Sequence, residues 1–338
     1  MDNVLFYQLH QAGLFNRLMS LQIGIGLAHC SNKKLVLYGL LDKQGTELDN
    51  PSIHANVELG LRKNIIDKKM VSLFSLLDPY EGSVDIEKID YYNIDTFHKN
   101  ETKIEVPLQD YYFKVSEGEN LIKFADGRSE LVLPSGPVHM LGYNICNYGS
   151  FFFNRTESLD QEIQKIKFKD EYWDFAKMVA KSLGDFNGAH IRLTDHKANF
   201  EVKESDFDDR LEFLSNKPLF VLTDEVDNPM FKNKNVFILD DYIVENFSKE
   251  FLSLSSQSEA VFGLVSAMIM TMSSRFVGTF LSTFTSFIQR ERLKTGNKNF
   301  IYFGKKTDEL GSPFSWNIDN RNFGIGISRD WPESRLMV

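Results

Sequence analysis

The sequence predicts an α/β protein of two halves, each a mostly parallel sheet with helical crossovers. Three observations carry this expectation. Short apolar runs of strand length alternate with helix-period segments at the start of the chain, and again from residue 187 onward. A length of 338 residues accommodates two domains. A composition of 42% hydrophobic and 25% charged residues is that of a globular chain with sizeable cores, and 29 Phe point to aromatic-rich packing.

Taken in order, Val4–Leu9 reads as a first strand and residues 10–15 as a loop containing Gly13. Asn16 can cap a helix from Arg17 to His29, with Leu18, Leu21, Ile25 and Ala28 at helical spacing. Lys34–Tyr38 is the second strand, completing a β-α-β unit whose helix start offers unpaired N–H groups to an anion. Residues 40–150 are less regular, with a strand expected at Leu131–Leu133. Helices over Ser158–Lys167 and Asp170–Leu183 follow, the second with Trp173, Ala176, Val179 and Ala180 on one face. This helical stretch bridges the halves, giving domains 1–165 and 166–338. Strands are then expected at Gly188–Leu193, Leu219–Thr223, Val236–Leu239 and Arg275–Thr279, with helices over Glu259–Met272 and Thr285–Thr295.

The net charge of −9 and a pI near 5.4, without a long Lys/Arg run, argue against nucleic acid or an anionic membrane as partner. Cys30 and Cys146 lack metal-like spacing and read as free thiols in a reducing compartment. The N-terminus has no basic segment followed by an apolar one, and no apolar run reaches about 18 residues. A cytoplasmic protein without a transmembrane segment is the expectation.

Three motifs fall at strand ends, where open parallel sheets bind ligands. In His190-Ile191-Arg192-Leu193-Thr194-Asp195, alternation places His190 and Arg192 on one face. Arg192 can then offer a planar pair of donors to a pyrophosphate; the alternative is a structural pair with Asp195. Ser282 and Thr283 lie where a hydroxyl-rich turn enters a helix carrying Arg290 and Arg292. They suit either an anion or simple N-capping. Asp224-Glu225 and Asp240-Asp241 place carboxylates at two further strand ends. No His lies near them, so no metal site is expected. A carboxylate there could instead accept from the two in-line N–H donors of guanine, with Asp224 and Asp241 both open for that part.

The block from Phe276 through Ser282-Thr283-Phe284 to Arg290-Glu291-Arg292 resembles the last motif of the protein O-fucosyltransferases. His190-x-Arg192 resembles the His-x-Arg motif that they share with α1,6-fucosyltransferases and their rhizobial relatives. Gly13-Leu14-Phe15-Asn16-Arg17 is similar to the opening Gly-x-x-Asn loop of the same superfamily. The resemblance spans about residues 3–43 and 187–295. It implies a GT-B fold, two Rossmann-like domains facing across a cleft, and inverting transfer from the donor substrate GDP-fucose with no metal or other cofactor. Arg192 would hold the β-phosphate, His190 the nucleotide, and Ser282, Thr283 and Phe284 the pyrophosphate and its surroundings. Asn16 and Arg17, with the Gly13 loop, would approach the fucose and a carbohydrate or protein acceptor. Where relatives carry a second Gly or a Glu in that loop, this chain has Ala12. The base that the resemblance leaves open is then His10 first and Asp195 second, or none at all. Two other readings stand beside this one: a glycosyltransferase using a different nucleotide sugar, and a catalytically silent GDP-sugar or glycan-binding module.

Overall fold

The structure is a computed structural model that describes residues 3–9, 14–38, 73–88, 102–105, 113–115, 121–124, 130–132, 138–141, 151–153, 157–193, 204–232, 234–279 and 282–303. It is α/β, in two compact units; among the described residues the division falls between Phe168 and Lys169.

The N-terminal unit has a five-stranded parallel sheet of order β3-β2-β1-β8-β4. Its strands are β1 (Val4–Gln8), β2 (Lys34–Tyr38), β3 (Ile86–Lys88), β4 (Thr102–Glu105) and β8 (Val138–Leu141). Helix α1 (Leu14–Cys30) crosses from β1 to β2 and is buried almost all round. Leu18, Leu21, Ile25 and Ala28 are buried as their spacing predicts. The helix begins at Leu14, before Asn16, so Asn16 is a helical residue and not the cap. A second sheet, β7-β6-β5-β9, is formed by β5 (Phe113–Val115), β6 (Leu121–Phe124), β7 (Glu130–Val132) and β9 (Phe151–Phe153). The expected strand at 131–133 is β7, shifted by one residue.

The unit also contains the short helix α2 (Leu73–Leu76) and closes with α3 (Glu157–Gln164), which packs on α1. Glu162 fastens α3 to the segment before β3. Its carboxylate accepts from the Tyr80 hydroxyl, from the Ser83 N–H at 2.5 Å and from the Val84 N–H at 3.3 Å, and meets Lys165 at 3.1 Å. Burial raises the carboxyl's pKa, but the hydrogen bonds outweigh it and hold the group at about 2. A Cβ at Gly82 would overlap the ends of both Tyr80 and Glu162, so a larger residue there would displace the clasp.

The C-terminal unit is built on a five-stranded sheet, all parallel, of order β12-β11-β10-β13-β14. Its strands are β10 (Asn187–Ile191), β11 (Leu219–Thr223), β12 (Val236–Ile238), β13 (Phe276–Thr279) and β14 (Phe300–Phe303). Its helices are α4 (Asp170–Leu183), α5 (Glu204–Leu214), α6 (Leu239–Leu252), α7 (Glu259–Thr271) and α8 (Thr283–Lys294). The strands are buried apolar runs because helices cover both faces. Ala189, Ile191 and Leu193 join Phe207, Leu214, Val221 and Val277 in one core. Gly188 faces the other way, since a Cβ there would meet Met270 of α7. Alternation thus sends His190 to the side of α7 and α8. In α4 the buried face comprises Tyr172, Phe175, Ala176, Val179 and Ala180; Trp173 is only half-buried, one position off the face expected for it.

Candidate functional site

The chain builds outward from β10 to β11 and β12, then returns to lay β13 on the other side of β10. The order of construction therefore reverses between β10 and β13, and the crevice beyond their carboxyl ends is where such sheets bind ligands.

The side chains at this point interlock. His190 is buried; its Nδ1 lies 2.8 Å from Thr285 Oγ1, and its ring stacks on Phe284 with centroids 4.5 Å apart. Both partners come from the first turn of α8. That turn approaches closely because residue 278, opposite His190 in the β10–β13 register, is glycine. A Cβ at Gly278 would overlap Thr285 Cγ2 and come within 2.9 Å of Phe276 Cε1. Arg192, half-buried, lies just past β10, with its N–H bonded to Thr279 Oγ1 at 2.8 Å. Thr279 Oγ1 donates in turn to the His190 carbonyl at 2.9 Å, and the Ser282 N–H reaches the Thr279 carbonyl at 3.4 Å. Arg192 and Ser282 are thus joined through one threonine.

Ser282 is the N-cap residue of α8, with φ −87° and ψ 123°, but its hydroxyl makes no capping bond. Its carbonyl starts the helix by accepting the Ser286 N–H at 2.9 Å. The residue is 2% exposed, and Oγ is buried with no hydrogen-bond partner. A hydroxyl in that state at a helix N-terminus, where the first-turn N–H groups lack intrahelical partners, is equipped for an anion. Thr283, half-buried, opens the helix beside it.

Other expected site residues sit differently. Asp224 Oδ1 accepts the Leu193 N–H at 2.8 Å, so this carboxylate braces the chain leaving β10. Asp240 and Asp241 do not end a strand; they occupy the first turn of α6. Asp240 is buried and receives Ser266 Oγ at 3.1 Å, while Asp241 is half-buried. Asp241 follows β12, two strands from β10, or roughly 10 Å across the sheet.

Arg292 is wholly buried at the far end of α8, not turned to a ligand. It donates to the carbonyls of Thr271, Ser273, Ser274 and Asn299 and to Ser273 Oγ. Burial lowers its pKa to about 10. Arg290 is also buried. In the N-terminal unit, Asn16 carries a buried Oδ1 without a partner, and Arg17 is 2% exposed. His10, Gly13, Asp195 and Cys146 lie outside the described residues, as does the side chain of Cys30. Thr279 and Thr285 were not singled out from the sequence; their hydroxyls acquire roles only through the β10–β13 register. Among the described residues, no cluster of three His, Cys, Asp or Glu could hold a metal ion, and no helix is long and apolar enough to cross a membrane.

No protein-family model and no curated protein matches the chain. Among solved structures it is similar to the fucosyltransferase NodZ from Bradyrhizobium, with a TM-score of 0.47 and 11% identity over 86% of this chain and 92% of that one. The same NodZ has been crystallised as an α-1,6-fucosyltransferase with GDP. POFUT1 in complex with GDP gives a TM-score of 0.40 and 11% identity, over 90% of this chain and 99% of that one. These neighbours bind GDP or GDP-fucose.

Proposed function

We propose that the chain is an inverting fucosyltransferase that transfers L-fucose from GDP-fucose to a hydroxyl of a carbohydrate or protein acceptor in the cytoplasm, without a metal ion. One observation carries the reading: the buried, unpartnered Ser282 hydroxyl at the N-terminus of α8, joined through Thr279 to Arg192. This arrangement supports a diphosphate site made of fixed donors in a sheltered crevice, where preorganised dipoles act most strongly. His190 and Phe284 form the neighbouring wall for the nucleotide.

In the reaction, the acceptor oxygen bonds to the anomeric carbon on the face opposite the diphosphate. The bond from that carbon to the β-phosphate oxygen breaks, and its electron pair leaves with GDP. Arg192 and Ser282 neutralise the charge that grows on the phosphate. The acceptor's proton passes to a base, His10 or Asp195, or to solvent if there is none. Asn16, with its unpartnered Oδ1, would orient the fucose or the acceptor.

Interactions that strengthen in the transition state appear in kcat. Arg192→Ala is therefore expected to lower kcat about 10²–10³-fold, with little change in KM for the donor. Arg192→Lys should recover little, because an ammonium lacks the two-pronged geometry. Ser282→Ala, which removes one hydrogen bond, should weaken GDP binding roughly 5–30-fold. Melting temperature and single-turnover rate are measured on one preparation. A folded Arg192→Ala protein that turns over normally contradicts the assignment.

A further inference from the structure

Two successive N–H groups just past β10 are each held by a side chain from a different neighbouring strand. The Arg192 N–H points to β13 and bonds Thr279 Oγ1; the Leu193 N–H points to β11 and bonds Asp224 Oδ1, both at 2.8 Å. The ladder of β10 ends at Ile191, so ordinary strand pairing no longer holds these groups. Thr279 Oγ1 also donates to the His190 carbonyl, which leaves the peptides on both sides of Ile191 tied to β13. Thr279 is 1% exposed, and the Thr223 hydroxyl beside Asp224 receives the Glu225 N–H at 3.2 Å, which fixes the turn that carries the carboxylate.

We infer that Asp224 and Thr279 are positioning residues that hold the two peptides flanking Arg192, Thr279 the one before it and Asp224 the one after, and so fix the direction in which the Arg192 guanidinium leaves the sheet. This rests on the reading of Arg192 as the phosphate ligand and stands in place of guanine recognition, the part for which the sequence left Asp224 and Asp241 both open. The clamp sits where the sheet opens into the crevice, with no β-ladder left to hold the chain. Side chains supply the rigidity instead. A guanidinium that must meet a phosphate within a few tenths of an ångström depends on such support, since misplacement by about 1 Å can lower a rate roughly 10²-fold.

The two roles of Asp224 predict different behaviour. As a clamp, Asp224→Asn keeps an Oδ1 acceptor for the Leu193 N–H and restores kcat to within about threefold of the wild-type protein, whereas Asp224→Ala lowers kcat about 10–10²-fold at nearly unchanged donor KM. As a guanine reader, both variants would raise KM for GDP-fucose, and Asp224→Asn, with one acceptor turned into a donor, would accept xanthosine diphosphate in place of GDP. Thr279→Ser keeps both hydrogen bonds and is expected to follow Asp224→Asn; Thr279→Val keeps the shape, removes both bonds and is expected to follow Asp224→Ala.

Hydrogen exchange of the full-length protein, read over residues 190–193, tests the clamp apart from the reaction. Faster exchange in Asp224→Ala and Thr279→Val, with protection retained in Asp224→Asn and Thr279→Ser, supports it even if no donor is turned over. That last result would defeat the fucosyltransferase reading alone. Unchanged exchange in the Ala and Val variants, or a shift of Asp224→Asn toward xanthosine diphosphate, overturns the clamp.

Discussion

Arg292 and Arg192 are both arginines of motifs that the sequence alone would assign to phosphate, yet their surroundings divide them. Arg192 is half-buried at the mouth of the sheet, whereas Arg292 is closed off and tied to four backbone carbonyls. If the guanidinium is removed, the Ser273 and Asn299 carbonyls keep a donor, from Asn297 Nδ2 and the Phe276 N–H, but those of Thr271 and Ser274 lose theirs, and a buried unsatisfied acceptor costs about 1–3 kcal/mol. Arg292→Ala is therefore expected to destabilise the protein by more than about 3 kcal/mol, with a clear drop in melting temperature. Its loss of activity should follow the loss of folded protein and not a lowered rate per folded molecule. Sequence order located both residues but could not separate them, because the distinction lies in what α8 packs against. Ser282 was legible as a helix-terminal hydroxyl. That its Oγ makes no cap was not legible, since capping depends on backbone angles.

At the level of elements, β2, β11 and α4 were readable to the residue, because each is a strongly apolar or strongly periodic run bounded by polar residues. Helix α1 was misread at its start. Asn16 is a favoured cap type, but the helix begins two residues before it, at Leu14. Strands β4 to β6 are three or four residues long with mixed polarity, and β9 is an apolar run of only three, too short for a period to emerge. The clasp between α3 and residues 80–84 was likewise hidden, because Glu162 lies 82 residues from Tyr80.

That clasp has a pH signature. The folded-state pKa of Glu162 is about 2, below the ordinary 4.5, so its contribution to stability is fully present above about pH 4.5 and is lost as the pH falls toward 2. Glu162→Gln should lower the melting temperature at neutral pH and flatten the melting-temperature profile between about pH 4.5 and 2. Identical acid profiles for the two proteins would mean that Glu162 contributes nothing through its charge.

For the molecule as a whole, two α/β halves with mostly parallel sheets follow from alternating strands and helices, and that much of the fold was legible; the strand order of the sheets was not. The four-stranded sheet of the N-terminal unit was not, and it marks where this chain departs from a plain repeat of one Rossmann-like unit. The site in the C-terminal unit lies at the reversal point of its sheet, the place that the topology alone would nominate. The donors proposed for it are an arginine, a serine hydroxyl without a hydrogen-bond partner and a helix N-terminus. The central claim is that these groups serve a GDP-sugar leaving group directly. The measurement that tests it is turnover of GDP-fucose, against GDP-mannose, UDP-sugars and ADP-sugars, by the full-length protein in excess EDTA. Release of GDP from GDP-fucose above the other donors, undiminished by EDTA, is the predicted result. No turnover of GDP-fucose, or turnover that vanishes with EDTA and returns with Mn²⁺ or Mg²⁺, would contradict it.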